Sequence, residues 1–221
     1  DGELNAAANC LDRHLDERKN QTAILWEGSD GEQVNLTYQD LYRRVNETAA
    51  ALRAQGVEED DVVTIHLPMV PALPITTLAC ARIGAPHSVV FAGFSAQALA
   101  ERTDSADSDF IVTIDGYYRR GEFLDHIEKT DEALEQTERD PDVLAWLRHD
   151  EPQADVSDDY VRMADLLDEH AGARVDPVSR DAEDPLFLMY TSGTTGKPKG
   201  CQHRTGGYLA YTAATSKNVL D

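Results

Sequence analysis

Lysine is scarce in this chain: only five of its 20 basic residues are lysine, and they stand against 41 acidic residues, for a net charge of −21. A surface so poor in positive charge excludes a general nucleic-acid binder and a protein that docks on anionic membranes, because both need basic surface. Long apolar runs are also missing, so no stretch is predicted to span a bilayer. The N-terminus has no basic segment followed by an apolar one, so we expect no signal peptide and a cytoplasmic protein. Because the chain begins without Met, we also expect it to be an internal piece of a longer protein.

Cysteine is equally sparse. Cys10, Cys80 and Cys201 lie far apart, and none belongs to a C-x-x-C pair. This spacing argues against a disulfide framework and against a structural zinc site. We therefore predict three small, buried, apolar side chains in a reducing compartment, and no metal site.

The charges that are present are unevenly distributed. Abundant acid with little lysine is typical of proteins that work in high salt, where screening weakens self-repulsion, so our hypothesis is a halophilic source, and a haloarchaeal one. The alternative is an ordinary acidic protein. The segment 186–220, however, contains no Asp or Glu and includes Lys197, Lys199, Arg204 and Lys217. In so acidic a chain this segment is an electropositive island, which predicts an anion-binding site.

Apolar periodicity predicts an α/β fold of βαβ units, with a parallel sheet flanked by helices. Hydrophobic content of 41% suits a globular core. The predicted strands are 22–26, 33–36, 61–67, 86–91, 110–114 and 186–190. The predicted helices are 5–19, 37–56, 74–83, 95–105, 122–136, 143–148, 160–170 and 206–217.

One loop is rich in groups that bind phosphate: Tyr190-Thr-Ser-Gly-Thr-Thr-Gly-Lys-Pro-Lys-Gly200. Its glycines permit close backbone approach, its four hydroxyls donate hydrogen bonds, and Lys197 adds a positive charge. It is not the common NTPase loop, because only two residues separate Gly193 from Gly196, and Pro198 follows the lysine. The alternative is a plain surface loop rich in Gly and Thr. The coincidence of hydroxyls, glycines and lysines after a buried strand favours a polyphosphate site.

This loop resembles the signature loop of the adenylate-forming superfamily. Further segments are similar to acetyl-CoA synthetases within that superfamily, and they occur in the same order along most of the chain: Asn9-Cys-Leu-Asp-Arg-His14, Trp26-Glu27-Gly28, Pro68-Met-Val70, Ala79-Cys-Ala-Arg-Ile-Gly84, His87-Ser-Val-Val-Phe91 and Gly206-Gly-Tyr-Leu209. The match weakens between about residues 117 and 181.

The resemblance implies a ligase that joins a carboxylate to ATP, giving an acyl adenylate and pyrophosphate, and then passes the acyl group to the thiol of coenzyme A. Mg²⁺ accompanies the ATP. Residues 1–221 would be an incomplete N-terminal adenylation domain that lacks the C-terminal catalytic-lysine domain, so the fragment alone would hold no catalytic residue and be inactive. The implied ATP phosphate ligands are Thr191, Ser192, Gly193, Thr194, Thr195, Gly196 and Lys197.

The resemblance also implies a coenzyme A site formed by Phe91, Ala92, Gly93, Arg119, Arg120, Gly121 and Glu122. Two of these residues depart from the family pattern: Ala92 stands where Gly is usual, and Glu122 stands where a second Arg is common. The acyl group stays open between acetate, propionate, 3-hydroxypropionate and acetoacetate. A non-catalytic nucleotide- or coenzyme A-binding module is the remaining alternative. The expected partners are these small molecules, with no nucleic acid and no membrane, and the sequence does not determine the oligomeric state.

Overall fold

The computed structural model describes residues 2–148, 153–191 and 198–220 of the 221-residue chain. The α-helices are, in chain order, α1 (Ala6–Cys10), α2 (Leu15–Arg18), α3 (Tyr38–Ala54), α4 (Ala72–Ile83), α5 (Ala96–Ser105), α6 (Ile127–Leu134), α7 (Met163–Glu169) and α8 (Thr205–Thr215). A 3₁₀ turn (Asp12–His14) joins α1 to α2, and a π-helical turn (Ser216–Leu220) follows α8. No helix in these ranges is both long and apolar enough to cross a membrane.

The strands are, in chain order, β1 (Glu3–Leu4), β2 (Thr22–Glu27), β3 (Gln33–Thr37), β4 (Val63–Ile65), β5 (His87–Val89), β6 (Phe110–Ile114), β7 (Gly116–Arg119), β8 (Glu122–Asp125), β9 (Asp142–Trp146), β10 (Val161–Arg162), β11 (Arg180–Asp181), β12 (Pro185–Thr191) and β13 (Lys199–Arg204). The central sheet has the order β10-β9-β6-β4-β5-β12-β13. Its neighbours pair in parallel except β12 and β13, which are antiparallel. The predicted α/β fold with a parallel sheet is therefore confirmed.

Helices cover the sheet and form the core with it. The largest cluster packs α3 and α4 against the central strands, with Val45, Leu52 and Ile75 contributed by the helices and Val63 and Ile65 by β4. Strand β6 is buried along its whole length, as expected for a parallel strand covered on both faces. The helices thus fix the central strands, whose ends carry the loops described below.

Local signals explain why the best-predicted helices form. Thr37 and Asp40 make a reciprocal capping box at the start of α3, which satisfies two backbone N–H groups that the helix leaves open. Ser95 accepts a hydrogen bond from the backbone N–H of Ala98 and caps α5. Gly84 ends α4 in the left-handed conformation, at φ 80°, which glycine adopts without steric cost.

Several predicted elements are wrong. The single helix predicted at 5–19 is broken at Leu11. Next to the break, the carboxylate of Asp12 accepts hydrogen bonds of 2.8 and 3.0 Å from the buried Arg82. Such a tertiary contact is not visible in the helical periodicity of the sequence. The segment 143–148, predicted as a helix, lies mostly in strand β9. A short apolar run is compatible with both a buried strand and a buried helix, so the sequence pattern did not distinguish them. The predicted helix at 160–170 begins as β10 and becomes helical only at α7.

The start of the predicted helix at 122–136 is instead the second strand of a hairpin. Strands β7 and β8 pair antiparallel, and only α6 is helical in this segment. Arg120 and Gly121 form the two-residue turn, with φ of 55° and 84°. Positive φ at both central positions is the geometry that matches the twist of a tight hairpin. Strand β13 was not predicted, and the final helix begins after it.

The cysteine prediction is right for one residue of three. All three cysteines are free, but only Cys80 is buried, whereas Cys10 and Cys201 are exposed. Cys201 lies on β13, at the edge of the central sheet, where a side chain has fewer neighbours to cover it.

Candidate functional site

The segments that the sequence singled out leave the sheet at one edge. Strands β4, β5, β6, β9 and β12 run in the same direction, so their carboxyl ends lie on the same side of the sheet. The segments that follow these ends are, in chain order, 66–70, 90–95, the β7–β8 hairpin, 147–148 and the loop after Thr191. Ligands of open α/β sheets bind at this edge, where the loops after adjacent strands meet.

A cleft with a volume of about 400 Å³ opens between four of these segments and the turn after β2. Three residues of the predicted coenzyme A site line it together, namely Phe91, Ala92 and Arg119. Phe91 is 61% exposed, so the residue is available to a ligand. Aromatic and apolar neighbours complete the walls, among them Trp26, Leu67, Pro68, Met69, Tyr117 and Tyr118. The cleft is therefore largely apolar, with an arginine at its margin.

The remaining predicted coenzyme A residues lie beside the cleft. Gly93 follows the cleft wall, and a Cβ there would lie 2.6 Å from a ring carbon of Phe91, so a side chain at 93 would displace that ring. Arg120, Gly121 and Glu122 are exposed at the tip of the β7–β8 hairpin. Glu122 pairs across the hairpin with Arg119. A carboxylate opposite an arginine in a hairpin reduces the positive potential at that position, which is the opposite of what a phosphate site needs.

Sequence reasoning missed Arg148, which lies in the wall of the cleft. Its side chain is only 6% exposed and donates to the carboxylates of Asp30, at 2.7 Å, and Glu32, at 3.2 Å. Its guanidinium lies 5.6 Å from the centre of the Trp26 ring and 5.5 Å from that of Tyr118. These contacts hold both aromatic rings in position. Asp30, Glu32 and Trp26 are more than a hundred residues away in sequence, so no local pattern marks these contacts of Arg148.

Three further hydrogen bonds fix the cleft walls. The indole N–H of Trp26 donates to the carbonyl oxygen of Met69 at 2.6 Å and joins the β2 turn to the segment after β4. The buried Asp115 accepts from the backbone N–H groups of Gly116, at 2.9 Å, and Arg148, at 3.0 Å. The start of the hairpin and the end of β9 are thereby tied to one carboxylate.

Behind the cleft lies a buried pair of histidines next to a lysine. The rings of His66 and His126 stack at 4.3 Å between centroids, and His126 also meets the ring of Tyr117 edge-on at 5.1 Å. Lys129 Nζ donates to the carbonyl oxygen of Ala92 at 3.0 Å. Burial, with the Lys129 charge as a smaller contribution, lowers the pKa of His126 to about 4, and burial lowers the pKa of His66 well below its usual value. Both rings are therefore neutral at pH 7.

The structure describes the two ends of the predicted phosphate loop. Thr191 is exposed at the end of β12 and pairs with Lys199, the first residue of β13. The ring of Tyr190 covers Gly200, where a Cβ would lie 3.2 Å from a ring carbon. The candidate ligands Ser192, Gly193, Thr194, Thr195, Gly196 and Lys197 lie outside the described residues. Thr191 is therefore the one phosphate-ligand candidate that the structure positions.

His87 begins the strand that leads to Phe91, and the sequence predicted no metal site. His87 is buried on β5, its ring stacks on that of Phe187 at 5.8 Å, and burial lowers its pKa to about 4. Within the ranges 2–148, 153–191 and 198–220, no group of three or more His, Cys, Asp or Glu side chains is arranged to hold a metal ion.

Comparison with known proteins places these features in context. The sequence profile described as AMP-binding enzyme matches residues 11–220. The chain is 47% identical over 223 aligned positions to "Acetyl-coenzyme A synthetase" of Halorhodospira halophila (strain DSM 244 / SL1), and 47% identical over 234 positions to the protein of that name from Stutzerimonas stutzeri (strain A1501). Each alignment covers 100% of this chain and 34% of the relative. The chain thus spans about a third of the length of these curated relatives.

A solved structure has the same fold. The crystal structure of Brucella canis Acyl-CoA Synthetase superposes with a TM-score of 0.81 at 25% sequence identity, covering 98% of this chain and 36% of that one. The likeness extends over nearly all of the chain, including the segments between residues 117 and 181 where the motifs were weakest.

Proposed function

The chain belongs to the AMP-binding enzyme family, and from this membership we propose that the whole protein is an AMP-forming acyl-CoA synthetase of the acetate type. The membership confirms the resemblance that the motifs carried. In the proposed reaction, a short-chain carboxylate attacks ATP, which arrives with Mg²⁺, to give an acyl adenylate and pyrophosphate. The thiol of coenzyme A then takes the acyl group and releases AMP.

The structural observation that supports this proposal is the adjacency of β5 and β12. These strands are parallel neighbours, with Phe187 paired to His87 and Leu188 to Ser88. The candidate coenzyme A segment begins at Phe91 and the candidate phosphate loop at Thr191, each three residues beyond the pair formed by Ser88 and Leu188. Two loops that leave adjacent parallel strands at the same level suit a site in which the ligands of both half-reactions meet.

The cleft has the chemistry that coenzyme A requires. The adenine ring and the pantetheine arm offer flat and apolar surfaces, which the walls around Trp26, Met69 and Phe91 can cover. Phosphate groups need a cation, and Arg119 supplies a planar guanidinium at the margin. Because Glu122 faces Arg119 across the hairpin, we propose that Arg120, next to it at the tip, adds the second positive charge.

The phosphate loop would act mainly by positioning and by neutralising charge. Transfer at phosphorus leaves the protein little covalent chemistry, so catalysis depends on holding the polyphosphate in place and stabilising its charge. We assign the hydroxyls of Thr191, Ser192, Thr194 and Thr195 and the backbone N–H groups between them to the β- and γ-phosphates. Lys197 would supply the positive charge.

The described chain would contribute one part of this enzyme. We propose that residues 1–221 are an incomplete N-terminal adenylation domain, and that the adenine pocket, the acyl pocket and the catalytic-lysine domain belong to the two-thirds of the relatives' length that this chain does not span. The 221-residue chain alone should therefore form no thioester. Thioester formation by the isolated chain would contradict this assignment.

The decisive experiment is ATP–pyrophosphate exchange by the intact parent protein in high salt, with acetate, propionate and butyrate tested separately. Exchange that depends on added carboxylate, and that is fastest with acetate, is the expected result. Fastest exchange with another acid would replace acetate by that acid. A folded protein that binds ATP but exchanges with no acid would instead be a binding module.

A further inference from the structure

One arginine contacts both candidate loops. Arg102 lies on α5, is half-buried, and donates from a terminal nitrogen to the carbonyl oxygen of Ala98 at 2.7 Å, which fixes its side chain along its own helix. Its guanidinium carbon lies 4.6 Å from the centre of the Phe94 ring and 5.6 Å from that of Tyr190. Both distances are within the range of a cation–π interaction.

The two rings belong to different binding segments. Phe94 donates its backbone N–H to the carbonyl of Phe91 at 2.9 Å, and the two rings meet edge-on at 5.5 Å, so Phe94 closes the turn that carries Phe91 into the cleft. Tyr190 directly precedes Thr191, and its ring covers Gly200 on the opposite strand, so it forms the base of the phosphate loop. A displacement of either segment would move its ring, Phe94 or Tyr190, away from the guanidinium of Arg102.

We propose that Arg102 is a positioning residue that couples the phosphate loop to the coenzyme A cleft, an inference that rests on the proposed function. Its guanidinium is attracted to the faces of both rings and is anchored to neither loop, since Ala98 belongs to α5. The position of Tyr190 therefore affects the position of Phe94, and through it that of Phe91. The end of β12, which leads into the candidate phosphate loop, and the cleft proposed for coenzyme A are thereby held in one relative arrangement.

The test asks whether a change at the phosphate loop reaches the coenzyme A site through Arg102. Tyr190 is not among the residues that line the described cleft. In the intact parent, Tyr190→Leu is expected to raise the KM for coenzyme A about fivefold, the size of a lost partly buried cation–π contact. In the Arg102→Met background the same change should alter that KM by less than about twofold, because the link is already absent. Arg53→Met, an exposed arginine of α3, is the matched control and should change neither KM nor exchange.

Two outcomes overturn the proposal. One is an unchanged KM for coenzyme A in Tyr190→Leu, and the other is an equal rise with and without Arg102. If the double variant does not fold, Arg102→Met alone must still raise both the KM for ATP in pyrophosphate exchange and the KM for coenzyme A, whereas a purely stabilising role would shift only the unfolding midpoint. Failure of the proposed function is recognised separately, by the absence of carboxylate-dependent exchange in the unchanged protein. In that case calorimetric titration measures the Kd for coenzyme A, and the effect of Tyr190→Leu on that Kd is compared with and without Arg102→Met.

Discussion

A buried histidine should make this protein lose stability in mild acid. Burial on β5 lowers the pKa of His87 from its ordinary 6.5 to about 4. The unfolded chain therefore binds a proton in this range that the folded chain excludes, so the free energy of unfolding falls as the pH drops from about 6.5 toward about 4. Linkage gives a loss of about 2 kcal/mol between about pH 7.5 and about pH 5, and about 3 kcal/mol once both states are titrated.

The assay is urea unfolding of the intact parent at these two pH values, at one fixed high salt concentration. His87→Phe keeps an aromatic ring against Phe187 and removes the titrating group, and His87→Gln serves if the larger ring does not fit. The other titrating groups are the same in the wild type and in the His87 variants. The difference between their losses of unfolding free energy therefore isolates the contribution of His87. The wild type should lose about 2 kcal/mol more than either variant. Losses that agree within about 0.5 kcal/mol would refute the reasoning.

Three further results are expected. Arg119→Met should raise the KM for coenzyme A about tenfold, the effect of one charge-assisted contact to phosphate, and leave ATP–pyrophosphate exchange unchanged; an unaltered KM in thioester formation would remove Arg119 from the site. Lys129→Met should also raise the KM for coenzyme A, by about threefold, because the Ala92 carbonyl loses its hydrogen-bond donor. Lys19→Met, which changes an exposed lysine, is the control and should leave that KM unchanged. Steady-state kinetics at saturating ATP compare the two variants, and equal KM values would contradict a role of Lys129 in holding the cleft wall. Dilution below about 0.5 M salt should unfold the protein if its acidic surface reflects a halophilic source, and circular dichroism that is unchanged across this range would contradict that interpretation.

The sequence predicted most reliably what local chemistry decides. Helix α3 begins at the capping box of Thr37 and Asp40 and ends just before Gly56, as those residues indicate. The segment Phe110–Ile114, rich in β-branched residues, was predicted as a strand of a parallel sheet, and it forms the buried strand β6. The candidate coenzyme A residues came from resemblance alone, and the structure brings Arg119 to the same cleft as Phe91 and Ala92, which belong to a different loop.

Features that depend on distant partners were not predictable. The sequence of β9 is equally compatible with a helix, and only its pairing with β6 identifies it as a strand. The turn of the β7–β8 hairpin places Arg120 at positive φ, a conformation that a sequence reader assigns to Gly or Asn but not to Arg. Arg148 and Arg102 enter the site through contacts with Trp26, Phe94 and Tyr190 that no local spacing encodes.

The order of strands in the central sheet has a consequence for how the chain folds. Strand β12 inserts between β13 and β5, where Phe187 pairs with His87 from 100 positions earlier (187 against 87). Closing so long a loop is entropically costly, and pairing between distant strands forms slowly. During synthesis, β4, β5 and β6 exist long before β12 emerges from the ribosome, which leaves the backbone of β5 an open edge that invites pairing with other chains. The strand that introduces the phosphate loop therefore also covers this edge once it pairs with β5, and its arrival ends the exposure.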